Sequence, residues 1–433
     1  LIAIPLSLLG LEALVRLGVA IAGKTSELAS YAGEPLLFTD YRFKQLNQSA
    51  QPFQGLSTAG RLAIQPHPLT GYQFLGNQRN AALQINAQGF RSEQPISVTK
   101  PKDEFRILVI GGSTAFGQLS SSNQATFAQQ LENRLNQQVQ AQKANPQGFR
   151  PDVLPYFADE LTKVLKLPAK VRDSRYRVIN AAVPGYTSGN SVSQFLWRDS
   201  LYQPNLVVWV NGYSDLLLPS TQVAAAMTAP DQLASNALAH LMASIGQGIK
   251  GVCNWFYLVK ALQYWVLKPH PPLEQAIDPL NSSPAKLVDR LSADPQELNY
   301  RVARYAQNVQ QMARMTNSAK VPLLLALSPE ISRRPQPTPA EQNLLQTLGP
   351  DYRQRIQAGY QQLQQALETV KQTGATIRLV DLQPTTNQLQ GEAFQDPIHL
   401  SDAANQAISD RLYDAIAPLL QVQPQPFQGA PPR

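Results

Sequence analysis

The chain has 433 residues, 43% of them hydrophobic and only 15% charged, which is enough apolar mass for a sizeable core and excludes wholesale disorder. One cysteine, Cys253, excludes an intramolecular disulfide framework and a zinc finger, and the four histidines lie too far apart in the chain to suggest a histidine-rich metal centre. The net charge of +7, from 37 basic and 30 acidic residues, comes without a long Lys/Arg run, so nothing points to a nucleic-acid groove.

Residues Leu1 to Gly23 read as an apolar segment, and a helix of that length just spans a ~30 Å hydrocarbon core. Glu12 and Arg16 fall inside it four residues apart, so they share a helix face and can pair. The segment is expected to be a transmembrane anchor, residues 1–23; a cleaved signal peptide and a buried amphipathic helix are the alternatives. Residues 24–103 are polar and Gln-rich, with Pro, Gly and short alternating pieces such as Ala82 to Arg91; they predict a small β-rich module.

From Phe105 the pattern becomes strand–helix alternation. Five short apolar runs predict strands: Ile107–Ile110, Val178–Ala181, Leu206–Val210, Leu323–Leu327 and Ile377–Val380. Apolar stripes at helical spacing lie between or after them: Phe127, Leu131 and Leu135; Val302, Tyr305, Val309 and Met312; Ile356, Tyr360, Leu363, Leu367 and Val370; Ile408, Leu412, Ile416 and Leu419. Buried strands separated by amphipathic helices predict an α/β fold, a five-stranded parallel sheet with helices on both faces. This domain is expected over 104–420, with insertions at 137–175 and 216–296 and a disordered Pro-rich tail at 421–433. Within the second insertion, Leu241–Leu267 is rich in aromatics; it reads as a cap over the site, as an interfacial helix, or as a second span.

In open α/β sheets functional residues collect at the carboxyl ends of the strands. The first strand runs into Gly111-Gly112-Ser113-Thr114, a tight turn that exposes a hydroxyl near a helix N-terminus. The second leads to Pro184-Gly185-Tyr186, where a glycine lets backbone approach a ligand. The third ends in Asn211-Gly212-Tyr213-Ser214-Asp215, a cluster of small polar groups. Before the last helix stands Asp396-Pro397-Ile398-His399. An aspartate three residues ahead of a histidine can accept one ring N–H and leave the other ring nitrogen as a base.

In this order the four pieces resemble the SGNH hydrolases, also called the GDSL family, over roughly residues 104–420. The leading apolar segment and the stretch Ile85-Asn86-Ala87-Gln88-Gly89-Phe90-Arg91 look like those of membrane-anchored bacterial members. The resemblance implies a flavodoxin-like SGNH fold and a serine esterase that cleaves an O-acyl ester of a cell-envelope glycan or lipid through an acyl-enzyme, with no cofactor or metal. It implies Ser113, His399 and Asp396 as catalytic residues. Ser113 and Gly185, with Ser214 or Asn211, would form the oxyanion hole. The chain departs from the pattern at Ser214, where the family usually has an asparagine. A polysaccharide O-acetyltransferase and a weakened carbohydrate-binding or assembly protein on the same fold are the alternatives. The implied partners are an acyl-ester substrate and, through residues 1–23, a membrane. The implied location of the domain is extracytoplasmic, on the periplasmic side.

Overall fold

The apolar N-terminal segment does fold as a helix, α1 (Ala3–Ile21), but its polar pair makes a helix–helix contact. Glu12 accepts the backbone N–H groups of Tyr257 and Leu258, both at 2.8 Å, and binds Arg16 at 2.7 Å. It thereby satisfies donors at the first turn of the helix Tyr257–Ala261, which have no partner within their own helix. Val15 and Val19 pack with Leu28, Tyr257, Ala261 and Tyr264. Among the described residues no helix is long and apolar enough to cross a membrane. The transmembrane span expected over residues 1–23 is therefore not supported. The structure, a computed structural model, describes residues 3–31, 33–53, 60–222, 255–267, 277, 286–372 and 377–429.

The segment predicted as a β-rich module holds strands β1 (Phe43–Gln45), β2 (Leu62–His67) and β3 (Gly71–Phe74) in one small sheet. A hairpin, β4 (Gln78–Arg79) with β5 (Gln84–Ile85), follows, and two short helices, Thr25–Ser30 and Leu36–Tyr41, precede the sheet. It shares its core with the main domain: Leu62, Ile64, Tyr72 and Phe74 belong to the same buried cluster as Ile107, Val109 and Leu131.

All five predicted strands form: β6 (Glu104–Gly111), β7 (Arg175–Asn180), β8 (Leu206–Asn211), β9 (Leu323–Leu327) and β10 (Ile377–Val380). They pair in parallel in the order β10-β9-β8-β6-β7. The side-chain period of two sends Ile107 and Val109 of β6 into one core and Leu108 and Ile110 into the other, which is why its sequence reads as an unbroken apolar run. Short helices α2 (Ser113–Phe116), α4 (Ser188–Trp197) and α5 (Tyr213–Leu217) follow β6, β7 and β8, and α3 (Phe127–Ala144) lies between β6 and β7. Helices α6 (Pro295–Ser318) and α7 (Pro339–Lys371, broken at Gly349) cover one face, and α3 with α8 (Asp402–Leu420) covers the other.

The insertion boundaries shift. Helix α3 runs on to Ala144, so eight residues expected as inserted chain continue a core helix that buries Val139 and Gln142. The tail is packed through its first residues, because Leu154 N–H bonds to Gln425 carbonyl at 2.8 Å and the Tyr156 ring meets Phe427. Of Leu241–Leu267, residues 241–254 lie outside the described residues, as do Cys253, His240 and His270. Residues 257–267 pack against α1 and the helix Thr25–Ser30.

Candidate functional site

Strand β6 can turn straight into α2 only because of glycine. Gly111 has φ +140, and a Cβ there would lie 1.9 Å from the Val210 carbonyl oxygen of the adjacent strand. Ser113 opens α2, so its N–H belongs to the first helical turn, which lacks intrahelical acceptors. The loop after β7 is clipped onto this turn by Val183 N–H donating to Gly111 carbonyl at 3.1 Å. The Tyr72 hydroxyl holds that loop from the small sheet by donating to Pro184 carbonyl at 2.6 Å. Gly185 stands in it at φ +82.

The third strand brings Asn211 and Ser214 to the same place. A narrow cleft is lined by Gly112, Ser113, Thr114, Asn211, Ser214 and Ser328, with Tyr186 and Ile398 at its walls. A Cβ on Gly112 would lie 3.6 Å from Ser214 Oγ, so that hydroxyl is directed at the Ser113 turn. The buried Asn211 amide accepts the Tyr305 hydroxyl at 2.8 Å through Oδ1, and its Nδ2 has no hydrogen-bond partner. A bare buried donor beside a serine is costly unless something else uses it.

Asp215 faces elsewhere. Its carboxylate accepts Ser188 N–H at 3.1 Å and Ser188 Oγ–H at 2.5 Å, holding the first turn of α4. Burial pushes its carboxyl up to about 6, against the hydrogen bonds from Ser188 and the nearby Arg304.

The Asp-x-x-His loop folds as its spacing predicts. Asp396 Oδ1 accepts the N–H groups of Ile398 at 3.1 Å and His399 at 2.8 Å, while Oδ2 bonds His399 Nδ1 at 2.5 Å. Burial alone would raise the Asp396 carboxyl, but the imidazole and these hydrogen bonds hold it below its ordinary value. The other ring nitrogen, His399 Nε2, is buried and without a partner, so Ser113 Oγ and the imidazole are not in hydrogen bond here. The loop is tied to the serine turn by the Thr114 hydroxyl, which donates to Ile398 carbonyl at 3.3 Å. Among the described residues no group of three or more His, Cys, Asp or Glu is arranged to hold a metal ion.

These strand ends and the five-stranded parallel sheet set the context for the family match. Residues 289–412 match the family model of GDSL-like lipases and acylhydrolases. Over that stretch the chain is similar to a GDSL-like lipase/acylhydrolase domain. The match includes Asp396 and His399 and begins after Ser113, Gly185 and Ser214. Solved structures similar to the chain include an acetyl xylan esterase (11% identity, 72% of this chain and 100% of that one, TM-score 0.36). They also include a GDSL-like lipase from Bacteroides thetaiotaomicron (10%, 73% and 89%, TM-score 0.31). TesA is a third (15%, 73% and 99%, TM-score 0.34). No curated protein matches the sequence.

Sequence reasoning missed the groups that support this candidate site. Tyr305 orients Asn211 from α6, and Ser328, just past β9, lines the cleft. Two residues on, the buried Glu330 accepts the Tyr352 hydroxyl at 3.0 Å, and the Tyr352 and Tyr213 hydroxyls stand 3.0 Å apart. Only the proximity of these residues in space makes the network, and no spacing in the chain signals it.

Burial pushes Glu330 up to about 7 from its ordinary 4.5. A raised acid keeps its proton in the folded state after the unfolded chain has released its own, so Glu330 lowers stability as pH climbs from ~4.5 to ~7. Glu330→Gln keeps the shape and removes that titration. It is expected to unfold at the same denaturant concentration as the parent at pH 4, and to be more stable at pH 8 by up to ~3 kcal/mol. Paired urea melts at the two pH values check this.

Proposed function

We propose that the chain is a serine acylhydrolase in which Ser113 is the nucleophile, His399 the base and Asp396 the residue that orients the imidazole. The observation that carries this is His399 itself: its Nδ1 is on Asp396 at 2.5 Å, its Nε2 is bare, and its loop is bonded to the turn that presents Ser113. Ser113 Oγ attacks the ester carbonyl carbon while His399 Nε2 takes its proton. The oxygen that becomes negative is held by the N–H groups of Ser113 and Gly185 together with a third donor from the end of β8. The intermediate collapses, the alcohol leaves with the proton from His399, and water delivered through the same base releases the acid and restores Ser113. If a sugar hydroxyl takes the place of that water, the same steps become acyl transfer.

The third donor is Asn211. Its Nδ2 lacks any other use, whereas the Ser214 side chain is one hydroxyl of shorter reach. Asn211→Asp keeps an acceptor for Tyr305 and removes the donor; it is expected to lower kcat on p-nitrophenyl acetate by ~10²–10³. Ser214→Ala is expected to cost much less. A larger loss at Ser214 would reverse the two roles.

The narrow, polar lining by Ser214, Ser328, Asn211 and Thr114 supports a short acyl group on a polar alcohol; with the family resemblance, the substrate is read as an O-acyl ester of a cell-envelope glycan. The exposed apolar face of α1, with Leu9, Leu14, Leu17 and Ile21, supports holding the domain near a membrane surface, and the extracytoplasmic side rests on the family resemblance. A fluorophosphonate probe tests the central assignment: covalent labelling mapped by peptide mass to Ser113 is expected, and a folded protein that refuses the probe would overturn it.

A further inference from the structure

The stretch Ile85–Arg91 contributes nothing to the cleft lining, yet its arginine reaches the turn that carries Ser113. Asn86 folds the loop: Oδ1 accepts the N–H groups of Gln88 and Phe90, each at 3.0 Å, and Nδ2 donates to Gln94 carbonyl at 2.9 Å. The Arg91 N–H then bonds Asn180 carbonyl, at the end of β7, at 3.0 Å. From this point the side chain runs into the interior and is 5% exposed.

Its guanidinium donates in five directions. Nε reaches Asn123 Oδ1 at 2.9 Å, Nη1 reaches Phe116 carbonyl at 3.1 Å and Gly117 carbonyl at 2.7 Å, and Nη2 reaches Ser122 carbonyl at 3.1 Å and Tyr41 hydroxyl at 2.6 Å. Its carbon sits 4.9 Å from the Phe116 ring centre and 5.3 Å from that of Tyr41. None of these partners is a carboxylate. The cation is held by neutral oxygens and ring faces, an arrangement that suits a planar fork of five N–H groups and not a lysine, with three donors on one centre.

Those oxygens belong to the Ser113 turn and its continuation. Gly117 N–H and Gln118 N–H both donate to Ser113 carbonyl, at 3.1 and 3.0 Å. Asn180 Nδ2 shares Phe116 carbonyl at 3.2 Å. The Tyr41 hydroxyl, which accepts from Arg91, donates onward to Ser120 carbonyl at 2.7 Å. One buried side chain therefore binds both ends of the segment 116–122 that closes the Ser113 turn.

We infer that Arg91 is a positioning residue for the reaction at Ser113, acting through the carbonyls of Phe116 and Gly117, so that Arg91 and its partner Tyr41, both N-terminal to the main sheet, are part of the catalytic unit. The inference rests on the proposed role of Ser113. Misplacing a nucleophile by ~1 Å costs ~10²-fold in rate without weakening ground-state binding.

The test uses the full chain, with Arg91→Lys, Tyr41→Phe and Ser113→Ala measured well below each variant's melting temperature. In Arg91→Lys, kcat on p-nitrophenyl acetate and the rate of fluorophosphonate labelling at Ser113 are expected to fall together by ~10²-fold, with KM unchanged within about twofold. Tyr41→Phe, which keeps the ring and removes one acceptor, is expected to show the same split at a smaller size. It provides the reading if Arg91→Lys does not fold. A lowered melting temperature with parental kcat and labelling rate would make the contact structural only and overturn the inference. Parental kcat in Tyr41→Phe, with no folded Arg91→Lys, would do the same. Full activity in Ser113→Ala would sink the underlying assignment instead, a distinct result.

Discussion

Ser113→Ala is expected to lower kcat on p-nitrophenyl acetate by at least ~10⁴-fold and to abolish fluorophosphonate labelling, because in the proposed mechanism Ser113 is the nucleophile and its removal leaves only binding and oxyanion stabilisation. The fold should be indifferent. Ser113 is buried at a turn whose shape depends on Gly111, on the clip from Val183 and on the Arg91 fork, and none of these uses the serine hydroxyl. Unchanged urea melting alongside the lost activity is the expected pair of results. A variant that retains parental turnover would show that esters are cleaved elsewhere.

Asp396→Asn is expected to cost ~10⁴-fold in kcat at pH 7 with little change in KM. The reason is tautomeric. In the proposed mechanism the Asp396 carboxylate accepts the proton of Nδ1 and Nε2 is the base, whereas an asparagine amide can donate to Nδ1 and favour the tautomer with its proton on Nε2. The substitution also has a stability consequence of definite sign. The carboxyl is held below its ordinary value, so its contribution is present at neutral pH and is lost as pH falls through the lowered folded value. The asparagine variant should therefore lose stability relative to the parent at pH 7, and the gap should close in strong acid. Urea midpoints across pH read this separately from turnover.

Much of the fold was legible because burial on both faces leaves a strong mark. The runs Ile107–Ile110, Leu206–Val210 and Leu323–Leu327 are apolar at consecutive positions, and each is a central strand of the parallel sheet. The stripes on α6, α7 and α8 are equally plain, since Tyr305, Val309, Met312, Ile356, Leu363 and Leu412 are all buried. The anchor expected of the N-terminal helix found no support. Its composition suits a bilayer, but Glu12 also suits the open N–H groups of a neighbouring helix, and composition does not distinguish the two uses. The Pro-rich tail read as disorder, yet its pairing with Leu154 depends on an insertion some 270 positions earlier.

The sequence by itself determined the α/β alternation, through its runs and stripes of apolar residues, and the Asp-x-x-His loop, whose hydrogen bonds lie within four residues of chain. Tertiary structure alone decided that Asn211 carries a bare donor while Asp215 turns away to α4, and that Arg91 of the N-terminal segment grips the Ser113 turn. Those outcomes depend on which buried polar groups find partners across distant elements. That matching is made only when the chain packs, since an unpaired polar group costs little in water and much in a core.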